Sequence, residues 1–179
     1  YDRILDHIDG HQITVHCTVT RQQARREGYL EAFLRTWQDN AHTRLIWISL
    51  YTPQKGELSA ERLTSADRAR VIGELRRLRP QFSKLQMADG MLDVYAKPPQ
   101  SPEECIFAQT TTCFSADLER RITPCQFGGE PDCANCGCIA SAGLEAIGRH
   151  HLPGGIPVGR VFSASARVGR TVARLRAPA

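Results

Sequence analysis

Six of the seven cysteines in this chain stand between positions 105 and 138: Cys105, Cys113, Cys125, Cys133, Cys136 and Cys138. The last three share the run Cys133-Ala-Asn-Cys136-Gly-Cys138, which puts three sulfurs within one or two tight turns. Thiolates this crowded, with glycines that let backbone amides approach, are the donor set of a metal or iron–sulfur centre. Disulfides fit poorly. Disulfide scaffolds are short secreted domains with cysteines spread over the whole chain, whereas the first hundred residues here carry Cys17 alone and show no apolar signal segment. A Cys-x-Cys pair is also too close in sequence to bond well to itself. Four thiolates suit zinc as well as iron, so the identity of the metal stays open.

The rest of the composition is that of an ordinary globular chain, 41% hydrophobic and 23% charged over 179 residues, enough for one domain or one with a small appendage. The net charge of +4 comes from arginines clustered at 21–26, 68–79 and 160–176. No aromatic residues interleave with them as in single-strand binders, so nucleic acid is not an expected partner. No segment reaches the apolar length of a membrane span, and no membrane partner is expected. A reducing, cytoplasmic compartment suits the free thiols best. The chain begins at Tyr1 inside a structured pattern, which reads as part of something longer.

Ile13-Thr-Val-His-Cys-Thr-Val-Thr20 alternates apolar and polar residues and is β-branched, the signature of a strand, with Cys17 as a core thiol. Leu30, Phe33, Leu34 and Trp37 repeat at helical spacing and mark one buried stripe. Leu45-Ile-Trp-Ile-Ser-Leu-Tyr51 is nearly all apolar, as expected of a strand covered on both faces. Ser65 is the expected N-cap of a second helix that buries Val71, Ile72, Leu75 and Leu78 and stops at Pro80. A short extended piece is expected over 84–87, and Asp2–Ile8 reads as the tail of a preceding helix. Strand, helix, strand, helix is the grammar of a parallel sheet with an open edge.

Pro98-Pro99-Gln-Ser-Pro102 reads as a stiff linker, dividing the chain into 1–97, a linker at 98–103, and a cysteine-rich part with a glycine-rich tail at 104–179. That last part has little apolar content of its own, and a metal centre would supply folding energy. Between Cys113 and Cys125 the pattern predicts a β-hairpin turning over Ala116–Arg120, which would bring those two thiols to one centre. Ligands of parallel α/β sheets bind beyond the carboxyl ends of the strands. Here those ends are Thr18–Arg21 and Thr52–Glu57. Arg21 suits a carboxylate, or is a surface arginine. His150-His151 could ligate metal, but a histidine pair before Leu-Pro-Gly-Gly is more often a solvated loop.

Taken together, ITVHCTVTR at 13–21, the helix after it, IWISLYTPQKG at 46–56 and the cysteine hairpin ending Ile-Thr-Pro-Cys125 resemble the C-terminal half of a radical SAM protein with a SPASM- or twitch-like auxiliary domain. The resemblance implies an α/β fold: the end of a partial (β/α)6, TIM-like barrel, followed by a small loop-rich iron–sulfur domain. It implies an auxiliary 4Fe–4S cluster, expected chiefly on Cys113, Cys125, Cys133 and Cys136, with Cys105 and Cys138 as candidates for the remaining positions. It also implies S-adenosylmethionine, near Thr20, Arg21, Thr52, Pro53 and Gly56, and a second cluster in the intact enzyme. The implied substrate class is a peptide, and the implied electron donor a flavodoxin or ferredoxin. Two departures stand out. The CxxxCxxC loop that binds the radical-generating cluster is absent, and no cysteine follows Cys138, which favours one auxiliary cluster over two. The rival reading is a non-catalytic zinc-binding interaction module.

Overall fold

The computed structural model describes residues 3, 7–8 and 10–176; the expected helix tail at Asp2–Ile8 lies mostly outside the described residues. Strand β1 (Ile13–Val19) follows from the alternation: Cys17 and Val19 turn into the core while Thr14, His16 and Thr18 face out. A short helix α1 (Arg21–Arg25) and the longer α2 (Tyr29–Asp39) carry the chain back, α2 burying Leu30, Phe33, Leu34 and Trp37 as the spacing predicts. Strand β2 (Thr43–Leu50) then pairs with β1 in parallel, Thr14 opposite Leu45 and Val19 opposite Leu50. This is a βαβ unit.

Helix α3 (Ser65–Leu78) starts one residue earlier than expected. Its cap is Thr64, not Ser65: the Thr64 hydroxyl accepts from the Asp67 amide at 3.1 Å, and the Asp67 carboxylate accepts from the Thr64 amide at 3.2 Å. The reciprocal pair satisfies two amides at once, which a serine at the next position cannot. After a single 3-10 turn at Arg79–Gln81, the extended piece appears as one parallel bridge, Ile46 to Leu85. It is held by Ile46 N–H to the Lys84 carbonyl (2.8 Å) and Gln86 N–H to the Ile46 carbonyl (3.0 Å). Strand β2 is covered on both faces except at Trp47: Ile46, Ile48 and Leu50 are buried on one face, and on the other Ser49 is buried while Trp47 is 40% exposed.

Helix α4 (Asp89–Ala96) precedes the proline-rich stretch and buries Leu92, Val94 and Tyr95. Beyond it come α5 (Ile106–Thr110) and a hairpin of β3 (Cys113–Phe114) and β4 (Arg121–Ile122), closed by Ser115 N–H to the Arg120 carbonyl at 2.8 Å. Then follow α6 (Ile139–Gly148), a second hairpin of β5 (His151–Leu152) and β6 (Ile156–Pro157), and α7 (Val158–Arg176). The glycine-rich tail is therefore mostly helix. Helix α6 packs on α4, and Ala142 joins the one hydrophobic core. Where α7 leaves, Gly148 and Gly159 meet closely enough that a methyl on Gly148 would stand 2.4 Å from Ile106 Cδ1. Glycine in this tail serves tight packing at that crossing. Among the described residues, no helix is long and apolar enough to cross a membrane.

Candidate metal centre

Five thiols, those of Cys105, Cys125, Cys133, Cys136 and Cys138, line one cavity, together with Thr52, Phe107, Phe127, Pro131 and Ser141. The cavity is small, about 20 Å³, and opens partly to solvent. Metal–sulfur bonds are shorter than van der Waals contacts, so a centre bonded to these sulfurs uses space that free water cannot. Each thiol comes from a different piece of local structure. Cys105 sits just before α5, with its sulfur 3.2 Å from the Ser141 hydroxyl. Cys125 follows β4. Cys133 opens a 3-10 turn at Cys133–Asn135 that closes on Cys136 by a 3.0 Å amide–carbonyl bond. Cys138 caps α6: its sulfur accepts from the Ser141 amide at 3.5 Å and from the Gln126 side-chain amide at 3.0 Å.

Cys113 stands on β3 and does not line the cavity, although it is near enough for its charge to act on Cys125. The expected hairpin is present, with the unfavourable left-handed turn position taken by Leu118 (φ 64°) where no glycine is available. All seven cysteines are free thiols, and Cys17 is buried in β1. Among the described residues, no three His, Cys, Asp or Glu side chains converge tightly enough to hold a single metal ion. The thiols ring a space and do not meet at a point.

Burial pushes the thiols up. Cys133 and Cys138 are both raised to about 11, first by desolvation and then by the neighbouring cysteines, with hydrogen bonding from Ser141 pulling Cys138 partly back. Cys125 and Cys136 are raised for the same leading reason. Hydrogen bonds reach the Cys136 sulfur from the Cys138 amide at 3.5 Å and, more distantly, from the Thr52 hydroxyl at 4.0 Å. These donors are aimed where a thiolate would need them.

The cysteine loop is fastened to the carboxyl end of β2. Leu50 N–H donates to the Gly137 carbonyl at 3.0 Å, and Gly137 N–H to the Thr52 hydroxyl at 2.9 Å. Asp132 N–H donates to the Pro53 carbonyl and Lys55 N–H to the Glu130 carbonyl, both at 2.8 Å. Thr52 and Pro53, two positions expected near S-adenosylmethionine, thus hold the cysteine loop. Gly56 (φ 72°) makes an open turn with nothing within 4 Å of where a side chain would begin. Thr20 caps α1 through Gln23, and Arg21 lies 3.7 Å from the buried Asp67 carboxylate. Among the described residues, Arg21 Nε is buried without a hydrogen-bond partner, whereas Thr20, Thr52 and Pro53 make local contacts of the fold.

One residue at the centre was not legible in the sequence. Arg68, only 7% exposed, donates from its guanidinium to the carbonyls of Asn135, Cys136 and Tyr95, each at 2.9 Å. None of these acceptors carries a full charge, and a buried cation without a counter-charge is costly. Desolvation accordingly lowers its pKa, while Cys136 and then Tyr95 and Asp132 act the other way. Asp132 already accepts from Arg62 and from the Asn135 side-chain amide, both at 2.8 Å. The negative charge best placed to balance Arg68 is a thiolate at Cys136. In the sequence Arg68 is one arginine in a basic run; only its burial distinguishes it. Gln126 and Ser141 gave no signal either, whereas Gly137, set between two cysteines, was a visible hint.

Compared with family models, curated proteins and solved structures, the chain gives no match.

Proposed function

We propose that this chain belongs to a radical SAM enzyme, forming the end of a partial (β/α)6 barrel and an auxiliary 4Fe–4S domain. The observation that carries the reading is the ring of five thiols around one cavity with Arg68 buried beside it. The donor set fits such a cluster. A single zinc holds thiolates at about 2.3 Å, and hence within about 3.8 Å of one another. A cluster gives each thiolate its own iron, so it does not need the thiols to meet at one point. Four of Cys105, Cys125, Cys133, Cys136 and Cys138 would supply the ligands, and Arg68 would offset the negative charge of the thiolates. A cluster here would store and pass single electrons. The parallel β1–β2 pair is one βαβ unit, which is common to parallel α/β folds and does not single out a barrel.

S-adenosylmethionine, a second cluster, a peptide substrate and a flavodoxin or ferredoxin donor in the cytoplasm are what the family resemblance would bring to the intact enzyme. The role proposed for this chain itself rests on the thiols and Arg68. The experiment is anaerobic reconstitution of this chain with iron and sulfide. About four irons and four sulfides per chain, with a brown chromophore lost in C136A and kept in C17A, supports the reading. A colourless protein that takes zinc alone refutes it in favour of the interaction module.

A further inference from the structure

Helix α7 is a feature that the metal centre does not use. Its sequence, VGRVFSASARVGRTVARLR, contains five arginines and no acidic residue. Val161, Val168, Val172 and Leu175 recur at spacings of seven, four and three and so share one face. That face is exposed: the four side chains are 48%, 64%, 39% and 81% accessible. Arg160, Arg167, Arg170 and Arg174 fall on the opposite side and are exposed too. The helix packs on α5 and α6 through its first half, where Gly159 meets Gly148 and Ile106 and Phe162 and Ala166 are half-buried, and from residue 167 onward every described side chain is exposed. The β5–β6 hairpin leading into it leaves Leu152 (44%) and Ile156 (49%) exposed as well.

A helix polar all round would be content in water; this one holds an apolar stripe there at a cost. We infer that α7 docks on an anionic lipid surface, lying in the interface with Val161, Val168, Val172 and Leu175 turned toward the acyl chains and the arginines at the headgroups. The charge argues for this occupant. Four exposed cations without an interspersed carboxylate match a negatively charged leaflet, while long arginine stems let the charge stay in the headgroup layer as the valines enter. Such a helix lies on a membrane and does not span it, so it escapes the test of apolar length on which the expectation of no membrane partner rested. The inference is independent of the cysteine centre.

The full chain, with or without iron, should float with vesicles of phosphatidylcholine mixed with phosphatidylglycerol and not with phosphatidylcholine alone. Each of R167Q, R170Q and R174Q should weaken binding about fivefold, and high salt should reproduce that loss. V168E/V172E should abolish flotation with an unchanged melting temperature, since those side chains touch little of the fold. Equal binding to neutral vesicles, or flotation unaffected by V168E/V172E, would overturn the inference. So would absence of flotation with concentration-dependent self-association that V168E/V172E removes, which would assign the face to a second copy. Binding to an acidic polypeptide but not to anionic vesicles would likewise overturn it.

Discussion

Replacing Gly137 with alanine tests the docking of the cysteine loop on β2. The methyl group would stand 2.1 Å from the Leu50 carbonyl oxygen and 2.4 Å from Leu50 C and Cβ, distances that no side-chain rotation can relieve because the neighbour is backbone. The loop must withdraw. That breaks Leu50 N–H to Gly137 and Gly137 N–H to Thr52, at about 1 kcal/mol each. Overpacking against β2 adds about 2 kcal/mol. The sum is about 4 kcal/mol, which in a chain of this size lowers Tm by roughly 10 °C. Cys136 and Cys138 flank Gly137, so iron uptake should fall in the same variant. Thermal melting followed by circular dichroism, with iron analysis after anaerobic reconstitution, reads both effects. Gly73 supplies a control of opposite sign: it lies inside α3 with nothing within 4 Å of an added methyl, so G73A should stabilise by about 0.5–1 kcal/mol. If G137A melts within about 2 °C of the native chain and takes up as much iron, the loop does not dock as described.

Arg68→Met should destabilise the iron-free chain by about 2 kcal/mol, by stranding the buried Tyr95 carbonyl and the half-buried carbonyls of Asn135 and Cys136. R68K should recover part of the iron content that R68M loses, because it keeps the charge; equal loss in both would mean that the charge is immaterial. Because burial raises Cys133 and Cys138 to about 11, a centre must displace their protons. Iron uptake should therefore tighten from pH 7 to pH 9, by about tenfold per pH unit for each proton released; a flat profile would contradict the thiolate assignment. Burial would raise the Asp67 carboxyl, but hydrogen bonding from Thr64 and pairing with Arg25 hold it below its ordinary value. A depressed folded pKa gives stability that is present above the unfolded value of about 4 and lost as pH falls below it. D67N should thus cost about 2 kcal/mol at neutral pH, chiefly through the α3 cap, and the gap to the native chain should close in acid denaturation scans. A gap unchanged at low pH would refute that account.

The βαβ unit was legible because local period and burial agree. The stripe at Leu30, Phe33, Leu34 and Trp37 has one face to hide, and a β-branched alternating run such as Ile13–Val19 has one way to lie in a sheet. The hairpin after Cys113 was legible for the same kind of reason, even though Leu118 takes a turn position that glycine usually fills. Helix α7 was not, because its glycines read as loop and nothing local announced that Gly148 and Gly159 pack against each other. The exposure of Trp47 on β2 was also illegible, since an apolar residue says only that burial is favourable, not that a partner is present.

For the centre, the residue types alone determined that thiols are concentrated and unsuited to bonding one another. Which five of them share a cavity was decided by tertiary structure, because Cys105 reaches it from before α5 while Cys113, eight positions later, is carried aside by β3. The choice of Arg68 from a run of arginines was tertiary as well. A guanidinium is identified as a counter-charge by what surrounds it, and Asn135, Cys136 and Tyr95 come together around it only when α3, α4 and the cysteine loop are packed. Sequence carries the chemistry of each group, whereas the distance and dielectric that make groups act on one another exist only in the folded chain.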